Sequence, residues 1–150
     1  MKSNLVTLFF VVVLTCACRT PAPFAPVDLS NAAWQTRTGQ AIWRPDRDKP
    51  EIVGDLIVAL HAKEGAYVQF SKALPIVSGR IGDNRWEIEF PPQHKHYAAP
   101  GQPPHRIVWL QLLREMAGKH ASENWTVSSG VEGELVLENI KSGERLEVHF

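Results

Sequence analysis

The strict alternation of apolar and charged residues in residues 85–90 (RWEIEF) constrains the fold of this chain more than any other feature. Trp86, Ile88 and Phe90 fall on one side of an extended backbone, and charged residues fall on the other side. This pattern is typical of an antiparallel strand with one buried face and one face in water. Residues 145–150 (RLEVHF) repeat it. The sequence therefore predicts a sheet that covers an apolar core with one face.

Several further segments have the composition of strands. Residues 52–61 alternate with both faces largely apolar, and two shorter β-type runs occupy residues 67–70 and 76–81. Trp34 and Trp43 flank a first strand that precedes them. Turn-forming residues separate these runs, which predicts a meander of hairpins. The predicted turns are residues 63–65, 82–84, 130–133 and 141–144, and residues 90–104 are predicted to form a long Pro-rich loop.

One helix is predicted over about residues 103–117. Pro103 and Pro104 suit a first helical turn, and Gly118 suits a C-cap. The helix is apolar over a very wide face, which requires a concave apolar surface such as a curved sheet. Its residues expected in water are Arg106, Gln111, Arg114 and Glu115. The predicted fold class is mainly β (α+β), with about five strands, this helix and about three strands in chain order.

The N-terminal segment is predicted to be a signal peptide for export. Lys2 is the only charged residue before Arg19, and residues 5–17 form an unbroken uncharged, largely apolar run. This run has the length of a signal-peptide core and is shorter than the roughly 20 apolar residues of a spanning helix. The alternative is a short membrane anchor that is not cleaved.

Cys18 follows the small residue Ala17 directly after this run, which resembles the lipobox of bacterial lipoproteins. We therefore predict cleavage before Cys18 and its lipidation by a diacylglyceryl group and an N-acyl chain, with palmitate among the acyl chains. Cys16 is the alternative acylation site, and ordinary cleavage to a soluble periplasmic protein is the alternative outcome. The chain has two Cys, both at this junction, so the predicted domain contains neither a disulfide nor a Cys-based metal site.

The domain organisation follows from this junction. We predict a lipoprotein signal peptide at residues 1–17, a lipidated Cys with a Pro-rich tether at residues 18–28, and a single β domain at residues 29–150. Arg19 stands where an Asp would favour retention in the inner membrane of enteric bacteria. The expected location is therefore the outer membrane, with the domain facing the periplasm.

No pattern of catalytic residues stands out. The formal net charge is zero, so bulk electrostatics favours no nucleic-acid partner. His94, His96 and His105 could form a metal site, but no acidic or Cys ligand accompanies them at a diagnostic spacing. Glu87 and Glu89 share the polar face of one strand, where contact with water is the simpler interpretation. We predict no enzymatic activity, no cofactor and no metal.

The combined features resemble the LolB/LolA family of outer-membrane lipoprotein localisation proteins. The closest local match is residues 104–113 (PHRIVWLQLL), and residues 133–150 (GELVLENIKSGERLEVHF) contain paired strands and a turn similar to those of short relatives. The mature chain is shorter than typical LolB and has one clear helix where that family has more. Leu74 and Pro75 are the candidates for LolB's protruding apolar loop.

This resemblance implies a curved antiparallel half-barrel of about eight strands, closed by the helix, that holds acyl chains on its concave side. Implied partners are lipid acyl chains or lipoproteins, the membrane through Cys18, and a periplasmic LolA-like carrier. The alternation of residues supplies the predicted apolar lining, which consists of Leu56, Val58, Leu60, Trp86, Ile88, Phe90, Trp109, Leu112, Leu113 and Met116.

Two other functions fit the same residues. One is a structural or protein-interaction lipoprotein with a closed core, and the other is a small hydrolase. Packing beneath the helix distinguishes the acyl-chain carrier from the interaction module. A carrier needs an apolar cavity there, whereas an interaction module is packed at native density. A cleft with polar groups of shifted pKa would favour the hydrolase.

Overall fold

The computed structural model describes residues 23–130 and 133–150. The predicted signal peptide and the acylation site, Cys18 or Cys16, lie outside the described residues. The described chain forms a nine-stranded antiparallel sheet and one α-helix, which confirms the prediction of a mainly β fold. Among the described residues, no helix is both long enough and apolar enough to cross a bilayer.

Strands that follow each other in the chain are paired in the sheet, except β6 and β7, which form its two edges. The sheet order is β6-β5-β4-β3-β2-β1-β9-β8-β7, so the C-terminal hairpins add to β1 rather than to β6. The strands are β1 (Gln35–Arg44), β2 (Ile52–His61), β3 (Gly65–Lys72), β4 (Leu74–Ile81), β5 (Arg85–Phe90), β6 (Lys95–Pro100), β7 (Trp125–Ser129), β8 (Glu134–Asn139) and β9 (Arg145–His149).

Strand β6 corrects the prediction of a Pro-rich loop over residues 90–104. A short 3₁₀ turn, Pro91–Gln93, and His94 with a positive φ reverse the chain. Lys95–Pro100 then pairs along the whole of β5. Because β6 is an edge strand, the missing amide hydrogen of Pro100 interrupts no inner ladder. This strand raises the number of strands from the predicted eight to nine.

The helix α1 (Val108–Met116) begins about five residues later than predicted. The segment before it is held by tertiary hydrogen bonds instead, since Trp125 Nε1 donates to the carbonyl of His105 and Gln111 Nε2 to that of Pro104. Gly118 ends the helix with φ 72°, as the sequence predicted.

Gln111 corrects a second expectation, because it is fully buried rather than in water. Its Oε1 accepts hydrogen bonds from the amide and the hydroxyl of Ser122, at 3.0 and 2.7 Å. With the bond to Pro104, the side chain ties the segments before and after α1 to the helix. A buried amide with its polar atoms paired avoids the desolvation penalty that burial would otherwise impose.

One apolar core lies between α1 and the sheet. Trp109 of α1 stacks on Phe70 of β3 with ring centroids 4.9 Å apart and meets Trp43 of β1 edge-on at 5.4 Å. The same core includes Ile88 from β5 and Trp125 from β7, which are far apart in the strand order. The helix therefore shares one core with nearly the full width of the sheet.

Candidate functional site

Different turns lie at the two ends of the sheet. The turns after β2 and after β4 lie at one end, together with the C-terminus of α1, and we call this the Gly82 end. The turns after β1, after β3 and after β8 lie at the other end, which we call the Leu74 end. The antiparallel pairing fixes this division.

An open cleft at the Gly82 end, which we call the Met116 cleft, has a volume of about 370 Å³. Apolar side chains from the strands and from the end of α1 line it, and polar residues from the turns accompany them. The residues lining it are Gln35, Leu60, His61, Ala62, Gly65, Ala66, Ile81, Gly82, Asp83, Met116, Ala117 and Lys119. An apolar wall with a few polar groups is typical of a small-molecule site.

A second open cleft of about 370 Å³, the Tyr97 cleft, lies where the segment before α1 meets β5 and β6. Its wall is largely aromatic, and Tyr97 on the edge strand is about half exposed. The residues lining this cleft are Trp86, Phe90, Tyr97, Pro104, Arg106 and Ile107.

The structure divides the ten predicted lining residues among three places. Leu60 and Met116 line the Met116 cleft, whereas Trp86 and Phe90 line the Tyr97 cleft. The other six are at most 1 % exposed within the packed core and line neither cleft. Those six are Leu56, Val58, Ile88, Trp109, Leu112 and Leu113. Alternation identifies which residues face inward, but it does not distinguish a filled interior from an open one.

Residues 23–28, predicted as part of a tether, lie against the outer face of the sheet, and we call them the strap. Arg80 Nη1 donates to the carbonyl of Ala25 at 2.6 Å, and Arg80 Nη2 meets Glu64 Oε2 at 2.7 Å. The guanidinium carbons of Arg80 and Arg85 lie 4.5 and 3.8 Å from the centre of the Phe24 ring. These contacts explain why Arg80, a charged residue, is only 4 % exposed.

Sequence reasoning missed the strap because its partners are remote in the chain. Phe24 and Arg80 are separated by more than fifty residues, and a Pro-containing segment gives no periodic signal. The available hint was Phe24 itself, a large apolar side chain in a segment otherwise made of small residues and Pro.

A narrow polar groove runs beside the strap on the outer face. Glu87 Oε2 accepts a weak bond from the Phe24 amide at 3.4 Å and lies 3.7 Å from His96 Nε2. Burial, and then the charge of Glu89, raise the pKa of Tyr67. The groove has a volume of about 170 Å³, and Glu87 and Glu89 both line it. The strap contacts Glu87, whereas Glu89 is exposed.

The candidate metal cluster of the described residues includes none of His94, His96 and His105. That cluster consists of Glu134, Glu147 and His149 at the β8–β9 edge. Within it, Glu147 pairs with His149 at 2.9 Å and with Arg145 at 2.8 Å. The ion pair with Arg145 already compensates the charge of Glu147, which leaves less negative charge for a cation.

Glu144, at the Leu74 end, has the most perturbed carboxyl group among the described residues. Its burial raises the pKa from 4.5 to about 7. The indole of Trp43 donates to Oε1 at 3.0 Å, which opposes this rise, while the charge of Asp46 adds to it. The residue thus joins the β8–β9 turn to the aromatic cluster around Trp109.

No protein-family model matches the chain, and no curated protein matches it in sequence. The relationship to the LolB/LolA family therefore remains a prediction based on the residues quoted for it.

Proposed function

We propose that this protein is an exported lipoprotein of the LolB/LolA type that binds one acyl chain in the Met116 cleft. Cys18 carries the lipid anchor, and the domain faces the periplasm from the outer membrane. Its role is transfer of lipoproteins or lipids to that membrane, and a LolA-like periplasmic carrier is the partner that supplies them. The observation that carries the proposal is the Met116 cleft, where Leu60 and Met116 of the predicted lining meet.

The chemistry of the cleft suits a hydrocarbon chain with a polar end. Leu60, Ala66, Ile81 and Met116 offer apolar surface, and burial of such surface contributes about 25 cal/mol per Å². His61, Asp83 and Lys119 also line the cleft and offer hydrogen-bonding groups to the carboxyl or glyceryl end.

Contacts around α1 support the proposed half-barrel. Residues 108–113 are all buried, although one side of a lone helix on a flat sheet would face water. The segment just before α1 contacts β7 through Trp125, and it lines the Tyr97 cleft with residues of β5 and β6. One short segment reaches strands near both edges only if the sheet curves around the helix.

A binding titration with a fluorescent fatty acid tests the proposal. Ala117 is exposed and lines the Met116 cleft, so Ala117→Trp fills the cleft without disturbing the core. We expect this variant to lower the affinity several-fold, whereas Thr126→Trp, at an exposed position on β7, leaves it unchanged. Equal binding by both variants, or no binding by the wild type, would contradict the proposal.

The packed core favours a second candidate, a lipoprotein that acts as a protein-interaction module. Of the four large exposed apolar residues in the described chain, Val53, Leu74 and Ile140 lie toward the Leu74 end. If the Met116 cleft binds no acyl probe, a photo-crosslinking residue at Leu74 should capture an envelope protein in living cells. The same group at the exposed Thr126 position serves as the control.

A further inference from the structure

The strap is fixed to the domain close to the mouth of the Met116 cleft. A Cβ placed on Gly82 would lie 3.0 Å from Cε1 of Phe24, so the aromatic ring packs directly on the β4–β5 turn. Gly82 and Asp83 of this turn also line the Met116 cleft. The chain therefore enters the domain at the same end at which the cleft opens.

The contacts of Phe24 and Ala25 are too numerous for a passive linker. Two guanidinium groups lie over the Phe24 ring, and Arg80 also donates to the Ala25 carbonyl. Arg80 is held in turn by Glu64, and its guanidinium carbon lies 5.5 Å from the centre of the Trp34 ring. Several mutually oriented cation–π and hydrogen-bond contacts fix the place on the domain from which the chain continues toward its N-terminus.

The covalent reach of the chain then limits the orientation on a membrane. From Cys18 to Phe24 the backbone spans at most about 20 Å, even when fully extended. Strand β4 (Leu74–Ile81) alone is about 25 Å long, and Phe24 packs beside its C-terminal end. An upright domain anchored through Cys18 cannot bring the Leu74 tip to the membrane while the strap is docked.

We propose that the strap, by docking on Arg80 and Arg85, orients the anchored domain so that the Met116 cleft faces the surface of the anchoring membrane, into which a bound acyl chain is released. This inference rests on the proposed function, since it requires the anchor at Cys18. It assigns the Leu74 tip to the periplasmic side, which is the opposite of insertion by a protruding loop. The occupant of the cleft is thus the acyl chain that the proposed transfer delivers to the anchoring membrane.

Fluorescence quenching on vesicles measures this orientation in the full lipoprotein. After cleavage and acylation the mature chain has no free thiol, so Asp83→Cys and Leu74→Cys each provide a single labelling site at opposite ends. Each variant is labelled with an environment-sensitive fluorophore and reconstituted in phosphatidylethanolamine–phosphatidylglycerol vesicles that contain a headgroup-quencher lipid. We expect several-fold stronger quenching at position 83 than at position 74.

A strap variant tests the cause of the orientation. Phe24→Ala, combined with each labelling site, should remove the difference between the two positions, whereas Pro23→Ala should preserve it because Pro23 is exposed. Equal quenching at the two sites in the otherwise wild-type chain, or stronger quenching at position 74, would overturn the proposal. An unchanged difference in Phe24→Ala would overturn the role assigned to the strap.

Whether the cleft faces the anchoring membrane is tested in the same vesicles with a photoactivatable phosphatidylcholine. We expect crosslinks on residues of the Met116 cleft when the photolipid is in the anchoring vesicle, and several-fold fewer when it is in a second vesicle population. The reverse distribution would overturn the proposed orientation of the cleft. A chain that fails to bind vesicles at all would instead contradict the lipid anchor, which separates failure of the proposed function from failure of this inference.

Discussion

Glu144 shows how one side chain can make the stability of this protein depend on pH. Its carboxyl group is largely buried, and burial raises its pKa from 4.5 to about 7. The folded state therefore binds this proton more tightly than the unfolded state does. The resulting stabilisation is complete below about pH 4.5 and is lost as the pH rises through about 7.

The substitution Glu144→Gln should remove this dependence, because an amide keeps a hydrogen-bond acceptor for Trp43 and does not ionise. The difference in free energy of unfolding, variant minus wild type, should increase by on the order of 2 kcal/mol from about pH 5 to about pH 8, because only the wild type loses stability through Glu144. Urea unfolding of both chains at the two pH values measures the difference. An offset that is the same at both pH values would show that Glu144 does not titrate in this range.

The alternation of residues identified which side chains face inward, but not whether each one is packed in the core or lines a cleft. Leu60 and Leu56 have the same inward direction on β2, yet Leu60 lines a cleft and Leu56 is buried in the core. The difference depends on which residues surround each side chain in the folded protein, which is a tertiary property. Burial of Arg80 and Gln111 was likewise unpredictable, since each depends on partners far away in the chain.

Strand β9 packs so closely on β1 that there is no room for a side chain at Gly39. A Cβ on Gly39 would overlap the backbone carbonyl of His149, where β9 joins β1. Backbone atoms in a ladder cannot move aside without breaking hydrogen bonds. By contrast, a Cβ on Gly79 would meet only side-chain atoms of Val68 and Leu110, at 3.3 and 3.5 Å, and backbone at 3.7 Å.

We therefore expect Gly39→Ala to lower the free energy of unfolding by at least about 2 kcal/mol. Gly79→Ala, the matched control, should change it by less than about 1 kcal/mol, because the neighbouring side chains can shift. Urea denaturation of both variants measures the two effects. Comparable losses would mean that the β1–β9 contact is less tight than the structure indicates.

The elements themselves were predicted unevenly. Alternation identified β5 and β9 directly, and Gly118 located the end of α1, because these signals are local. The start of α1 was placed too early because Pro103 and Pro104 permit a first turn without requiring one. Strand β6 was missed because its sequence, KHYAAP, has neither a strict alternation nor β-branched residues.

The attachment of the whole molecule to a membrane through Cys18 is predicted from the sequence alone. Acylation requires the thiol of Cys18, so Cys18→Ser should abolish incorporation of labelled palmitate. Cys16→Ser, two residues away in the predicted leader, should leave it intact. Labelling in a bacterial host followed by gel analysis reports both outcomes. Loss of label in Cys16→Ser alone would move the anchor to Cys16 and the cleavage site with it.

Native mass spectrometry of the lipoprotein, released from membranes in a mild detergent, measures whether the Met116 cleft holds an acyl chain. We expect a bound species of the mass of one acyl lipid in the wild type and in Thr126→Trp. That species should be strongly reduced in Ala117→Trp, which fills the Met116 cleft. A spectrum with no added mass, or with the same added mass in all three chains, would contradict binding in the Met116 cleft.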